Sequence, residues 1–216
     1  MPWEYLTPES ISLLEQELCA IEDDHPDAVI VLRVQNGFSK GLDPKLYGAN
    51  PQSDPYELRR AEQLLRHFEK LPNFKIAIIE GESCGFGSTF ALCCDIRLMH
   101  TEAGLRWDEL SHGLNPGMAA WRLPQYIGMG RAQDLLMTCR RIDADLACQW
   151  GLSTYTFSTE SELQELLEQI KQRTDSLSRS GLSATRKLLR EYWNASYENA
   201  LGPCLAAQAM CLQQKP

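Results

Sequence analysis

The stretch GESCGFGSTFALCCDIRL, residues 81–98, sets Gly81, Gly85 and Gly87 ahead of a small apolar run of helical composition and ends on an Asp-Ile-Arg-Leu segment of strand character. A backbone that bare suits a turn presenting free N–H groups at a helix N-terminus. Such groups attract a phosphate, or an oxyanion that develops during a reaction. The spacing has no Lys after its last glycine, as a P-loop requires, and it does not fit G-x-G-x-x-G. Nucleotide binding is disfavoured. Taken locally, the same glycines would also serve close packing of a strand on a helix and nothing more.

The flanking segments place this turn in a fold. Lys75 to Glu80 before it and Asp95 to Met99 after it read as buried strands, and Ala28 to Val34 is another, short, β-branched and almost continuously apolar. Between the first two of these strands in the chain, a loop bearing Pro51 and Pro55 leads to Leu58, Ala61, Leu64, Leu65 and Phe68, the spacing of an amphipathic helix that Pro72 closes. Strand, helix and strand in that rhythm predict parallel βαβ units and an α/β fold. Upstream, Thr7-Pro8-Glu9 supplies a cap and a proline for a first helical turn, and Ile11, Leu14, Leu18 and Ile21 continue at helical spacing. Beyond Pro116 the pattern is mainly helical, with helices expected near 131–139, 144–150, 160–173 and 182–213, the last broken at Gly202-Pro203, and a strand at Ser153 to Phe157. The connection Asp175 to Gly181 divides a core of residues 1–174 from a C-terminal helical segment of residues 175–216.

Composition narrows the function. A chain of 216 residues, 44% hydrophobic and 23% charged, has the balance of an ordinary globular domain. Its net charge of -8 and pI near 5.1 argue against nucleic acid as a partner. No apolar run approaches the roughly 20 residues of a membrane span, and MPWEYLTPES has neither the basic nor the apolar part of a secretory signal. A cytoplasmic protein with its eight cysteines as thiols is expected. The cysteines form no C-x-x-C pair, and the histidines at 25, 67, 100 and 112 fall singly, so no metal site is expected.

A second glycine-bearing loop, Asn36-Gly37-Phe38-Ser39-Lys40-Gly41-Leu42-Asp43, also follows a buried strand. Two such loops leaving the same ends of neighbouring parallel strands stand where open α/β sheets place their ligands. Here the residues resemble a family, the crotonase superfamily of enoyl-CoA hydratases and isomerases. Phe38-Ser39-Lys40-Gly41-Leu42-Asp43 resembles its F-[SCA]-A-G-x-D loop. Gly81, Gly85-Phe86-Gly87-Ser88-Thr89-Phe90-Ala91 and Cys94-Asp95-Ile96-Arg97 are similar to G-x-x-x-G-G-G-x-E-L-A-x-x-C-D-I-R. The run from Trp107 through Asp108, Glu109 and His112 to Pro116-Gly117 resembles P-E-x-x-x-G-x-x-P-G, and Ser183 to Leu189 the family's C-terminal helix.

The resemblance implies a crotonase-like ββα superhelix with a helical C-terminal part. It implies a substrate that is an acyl thioester of coenzyme A or of an acyl-carrier protein, the coenzyme A or phosphopantetheine being part of the substrate, with no separate cofactor. The thioester oxygen would lie between the backbone N–H groups of Leu42 and Phe86, an oxyanion hole in which one donor is worth roughly 3–4 kcal/mol of barrier. Ser39, Lys40, Gly41, Gly85 and Gly87 would form the substrate loops, the glycines leaving room for the thioester, and Lys40 and Lys187 are candidates for a 3′-phosphate. The family also implies a homotrimer or hexamer, and Leu188, Leu189, Tyr192, Trp193, Leu201, Leu205 and Met210 supply an apolar face for it.

The departures are as informative. The family's hydratases use two glutamates, and the first falls here on Thr89, leaving Glu109 alone. A lone carboxylate suffices to move a proton between two carbons of a stabilised enolate, as in the family's isomerases. Phe86 stands where glycine is usual, and the N-terminal strands that commonly precede the first helix are missing from the pattern. Three readings follow: an enoyl isomerase using Glu109; a hydratase, lyase or decarboxylase variant, as in polyketide or unusual amino acid biosynthesis, in which Thr89, His112 or another pocket residue substitutes, Asp108 being a further candidate for the pocket; and a non-catalytic thioester-binding or partner protein.

Overall fold

The first helix forms where Thr7 caps it. In the computed structural model, which describes residues 5–34, 39–43 and 55–213, α1 (Pro8–Asp24) starts at a reciprocal cap between Thr7 and Ser10 and buries Ile11, Leu14 and Leu18. The chain continues through β1 (Ile30–Val34), α2 (Pro55–Lys70), β2 (Lys75–Ile79), β3 (Glu82–Cys84), α3 (Phe86–Leu92), β4 (Ile96–His100), β5 (Gly104–Arg106) and a 3₁₀ turn at Glu109–His112. It ends with α4 (Ala119–Ile127), α5 (Met129–Thr138), β6 (Ile142–Asp143), α6 (Ala144–Trp150), β7 (Tyr155–Phe157), α7 (Glu160–Asp175), α8 (Arg179–Glu191) and α9 (Tyr197–Gln213). Among these residues no helix is long and apolar enough to cross a membrane.

Four strands pair in parallel in the order β1-β2-β4-β7. Alternation along β2 serves two cores. Ile76 and Ile78 pack with Leu98, Phe157 and the α7 residues Leu163 and Ile170, while Ala77 and Ile79 face the main core of Phe68, Phe90, Leu105 and Trp107. β2 is therefore buried along its whole length. A second, small sheet joins β3 to β5 in parallel and β5 to β6 antiparallel. The chain leaves the first sheet at Ile79, turns through Gly81 and enters the second at Glu82, which delivers the glycine-rich turn to the seam between the sheets.

The βαβ architecture expected from the sequence is present, with three differences in detail. The small sheet has no counterpart in the periodicity, because strands of two or three residues are too short to display one. Helix α4 is absent from the expected helices, and it runs through Pro124, whose missing N–H does not end it. The C-terminal helix is broken earlier than Gly202-Pro203: α8 ends at Glu191 and α9 begins after Ser196, whose hydroxyl accepts the Asn199 N–H at 3.3 Å, and Pro203 lies inside α9. Ser196 was the stronger punctuation. Leu189, Leu201, Leu205 and Met210 are exposed on these two helices, and Trp193 on the turn between them.

Candidate active site

Two loops meet at the glycine turn. Cys84 N–H donates to the Ser39 carbonyl at 2.8 Å, and Gly41 lies so close to β3 that a Cβ there would stand 3.1 Å from the Cys84 oxygen and 3.5 Å from the Phe86 nitrogen. Gly41 has φ +91° and Gly85 φ +50°, conformations that favour glycine. Leu6 holds the first loop from the other side: its N–H donates to the Gly41 carbonyl at 2.8 Å and its carbonyl accepts from Asp43 at 3.1 Å. By alternation the intervening Leu42 N–H points away from Leu6, and it donates to no described residue. Phe86 opens α3, and an N–H in that position has no intrahelical acceptor. Two donors without an acceptor among the described residues thus lie on facing segments.

A cavity of about 110 Å³ gathers Leu42, Phe86, Thr89 and Glu109, with Leu58, Ala61, Glu62 and Leu65 of α2 on one wall and Leu114 to Gly117 on another. Glu109 heads the 3₁₀ turn, and its Oε2 is buried without a hydrogen-bond partner. The carboxylate lies over Gly85, where a Cβ would stand 2.8 Å from Oε1. Burial pushes this carboxyl up to about 7, its own backbone N–H offsets part of the rise, and the negative charges of Asp108 and Glu62 add to it. A carboxyl poised near neutrality in a small cavity has the character of a general base.

The other residues singled out in the sequence fall on both sides of this cavity. Thr89 lines it, but its hydroxyl is committed: it donates to the Gly85 carbonyl at 3.1 Å and accepts from the Trp107 indole at 3.0 Å. Asp108 and His112 stand beside the cavity rather than on it. Asp108 pairs with Arg106 at 3.1 Å and lies 3.9 Å from His112, which is exposed. Ser39 is buried, its hydroxyl accepting the Gly41 N–H at 3.0 Å, and a Cβ on Gly87 would stand 2.6 Å from the Ser39 Cβ. Gly41 and Gly87 therefore close the seam between loop and helix, which is a different reason from leaving room for a thioester. Lys40 is exposed, with its ammonium 5.9 Å from the Tyr5 ring. Asn36, Gly37 and Phe38, the start of the first loop, lie outside the described residues. No group of His, Cys, Asp or Glu among the described residues is arranged to hold a metal ion. Two site residues escaped the sequence reading, Trp107 and Glu62; the signal for the second was a charge on the apolar stripe of Leu58, Ala61 and Leu65.

Replacing Gly85 with Ala tests this geometry. The positive φ alone costs about 1–2 kcal/mol, and the new methyl meets the Glu109 carboxylate. Urea denaturation should show a loss of at least that size; a variant as stable as the parent would mean that the carboxylate does not rest on Gly85.

The model of the enoyl-CoA hydratase/isomerase family matches residues 5–216. The chain belongs to that family. It is 32% identical over 187 residues to the probable enoyl-CoA hydratase echA12 of Mycobacterium leprae, a match covering 82% of this chain and 63% of that protein. It is 29% identical over 199 residues to a probable enoyl-CoA hydratase of Bacillus subtilis, covering 89% and 77%. The chain thus spans less than two thirds of the length of the mycobacterial relative. A solved structure of an enoyl-CoA hydratase from Bacillus anthracis superposes with a TM-score of 0.88 at 25% identity, over 98% of this chain and 83% of that one. The fold of this enoyl-CoA hydratase/isomerase family member is the crotonase fold that the loop motifs implied.

Proposed function

We propose that this chain acts on an acyl thioester of coenzyme A or a carrier protein, moving a proton between carbons of an enolate with Glu109 as the acid–base group. One observation carries the reading: a single cavity brings the Glu109 carboxylate, whose Oε2 has no hydrogen-bond partner, together with Leu42 and Phe86, whose N–H groups donate to no described residue. With the thioester oxygen on those N–H groups, the ionised Glu109 takes a proton from the α-carbon of a 3-enoyl group. Charge moves onto the oxygen, where the two donors stabilise it. The protonated Glu109 then returns the proton to the γ-carbon, which leaves the conjugated 2-enoyl thioester and restores the carboxylate.

Isomerisation is favoured over hydration by what surrounds Glu109. Water addition calls for a second group to hold and activate the water, and at the position of the missing glutamate the Thr89 hydroxyl is committed to Gly85 and Trp107. The reading is tested by supplying short 3-enoyl and 2-enoyl thioesters in parallel, in deuterated buffer. Conjugation of the 3-enoyl substrate and exchange at the α-carbon are expected, both rising with pH through about 7 as Glu109 ionises. Water addition outrunning isomerisation, or the absence of α-exchange, would refute it.

A further inference from the structure

Glu62 sits on a helix face that is otherwise apolar, and it lines the cavity that holds Glu109. Its carboxylate is firmly held. Oε1 accepts the Met118 N–H at 2.8 Å, and Oε2 stands 3.4 Å from Nη1 of Arg122. At Gly117, where φ is +52°, a Cβ would come within 2.3 Å of Oε1, so the turn closes over the carboxylate because that residue is glycine. The segment anchored in this way returns to the catalytic turn, since the Leu114 N–H donates to the Glu109 carbonyl at 3.0 Å. A carboxylate on α2 is thereby linked, through residues 114–118, to the backbone that carries Glu109.

The charges around Glu109 are few. Asp108 lies on its own turn and pairs with Arg106 of β5, with His112 at 3.9 Å from Asp108. Glu62 lies on α2, with Arg122 of α4 at its Oε2. From α3 the cavity receives Phe86 and Thr89, with Gly85 beneath the carboxylate, and none of these carries a charge. We infer that Glu62 is a positioning residue of this site: it seats the Leu114–Met118 segment as a wall of the cavity and holds a second negative charge on the cavity that contains Glu109. The inference deepens the acyl-thioester reading and rests on it for its catalytic meaning, while its electrostatic half concerns the substrate-free protein. Like charge nearby favours the protonated form of a carboxyl, so Glu62 helps to retain the proton that Glu109 must hold between removal and return.

Two variants separate the wall from the charge. Glu62→Gln keeps an acceptor for Met118 and loses the charge; Glu62→Ala loses both. The Glu109 carboxyl is followed by carbon-13 NMR in the substrate-free protein, its resonance assigned by its disappearance in Glu109→Gln. In Glu62→Gln the titration midpoint should move down by roughly half a pH unit or more, and the acid limb of the kcat/KM profile for a 3-enoyl thioester should move with it. Glu62→Ala should add a rise in KM that Glu62→Gln lacks, as the wall loosens. An unmoved midpoint in folded Glu62→Gln overturns the inference. Absence of α-proton exchange in the parent would instead remove the acyl-thioester reading, and the NMR titration would still decide the role of Glu62.

Discussion

Exchanging Glu109 for Gln should slow proton transfer at the α-carbon by about 10²–10⁴-fold, the usual contribution of a positioned general base, while making the folded protein more stable at alkaline pH. The amide keeps the size of the side chain and loses its basicity, so thioester binding should persist and the loss should fall on kcat. The stability gain follows from the same burial. The folded carboxyl titrates near 7 against an ordinary value of 4.5, so between those limits the native state holds a proton that the unfolded chain has released. Native stability therefore falls as pH rises from 4.5 to about 7. Removing the ionisable group should recover up to about 2–3 kcal/mol at pH 8, fading to nothing below the ordinary carboxylate range. Denaturation at pH 8 and at pH 4 measures the difference. Activity equal to the parent's would take Glu109 out of the chemistry, and equal stability at pH 8 would mean that its carboxylate is solvated or paired.

What the sequence disclosed depended on how local each cause was. Gly41 and Gly85 stand out in the sequence as glycines of two turns, and the structure adds the reason at each, a positive φ, which is a demand on one residue that glycine meets. Glu109 was legible because its turn and the family motif coincide. The reason for Gly87 was not, since the atom it avoids belongs to Ser39, far back along the chain. Thr89 reads as a vacancy where a glutamate is usual; the structure shows its hydroxyl employed between a carbonyl and an indole, and that depends on Trp107, 18 residues further on. Glu62 was passed over because helix periodicity reports which residues face inward without telling what they meet there. Its meaning comes from Gly117 and Met118, 55 and 56 residues further on. The three short strands of the small sheet are the same case in backbone form, being defined by pairing across the molecule. The helices and the long strands carry their own signal, since Ile11, Leu14 and Leu18 or Lys75 to Ile79 are patterned within one element.

Substituting Glu69 by Ala should be the most destabilising single change among the buried charges, costing about 3–5 kcal/mol. Glu69 lies in the last turn of α2 with a side chain only 3% exposed, and it receives Arg122 through two parallel bonds of 2.8 and 3.0 Å, Arg122 being itself 5% exposed. Burial pushes the Glu69 carboxyl up, but the bonds from Arg122 and the charges of Arg122 and Arg190 outweigh it and hold the group below the ordinary carboxylate range. Arg190 approaches from α8 at 3.4 Å and donates to the carbonyls of Cys93 and Cys94 at 3.0 and 2.9 Å. One turn earlier on that helix, Arg186 joins Asp95 at 2.6 Å and the Glu69 carbonyl at 3.1 Å. One carboxylate thus serves both the helix that leads out of the cavity wall and the helix that docks the C-terminal segment. Truncating it strands the buried Arg122 guanidinium without its main partner, and an unpaired buried charge is far costlier than a missing pair. The melting temperature should fall by on the order of 10 °C, and limited proteolysis should cut first in α8 and α9. Glu69→Leu combined with Arg122→Leu removes both charges from the interior and should recover most of the loss. A single variant that melts within a degree or two of the parent would show that Arg122 finds sufficient compensation at Glu62, and that the α2 to α8 contact is held by apolar packing.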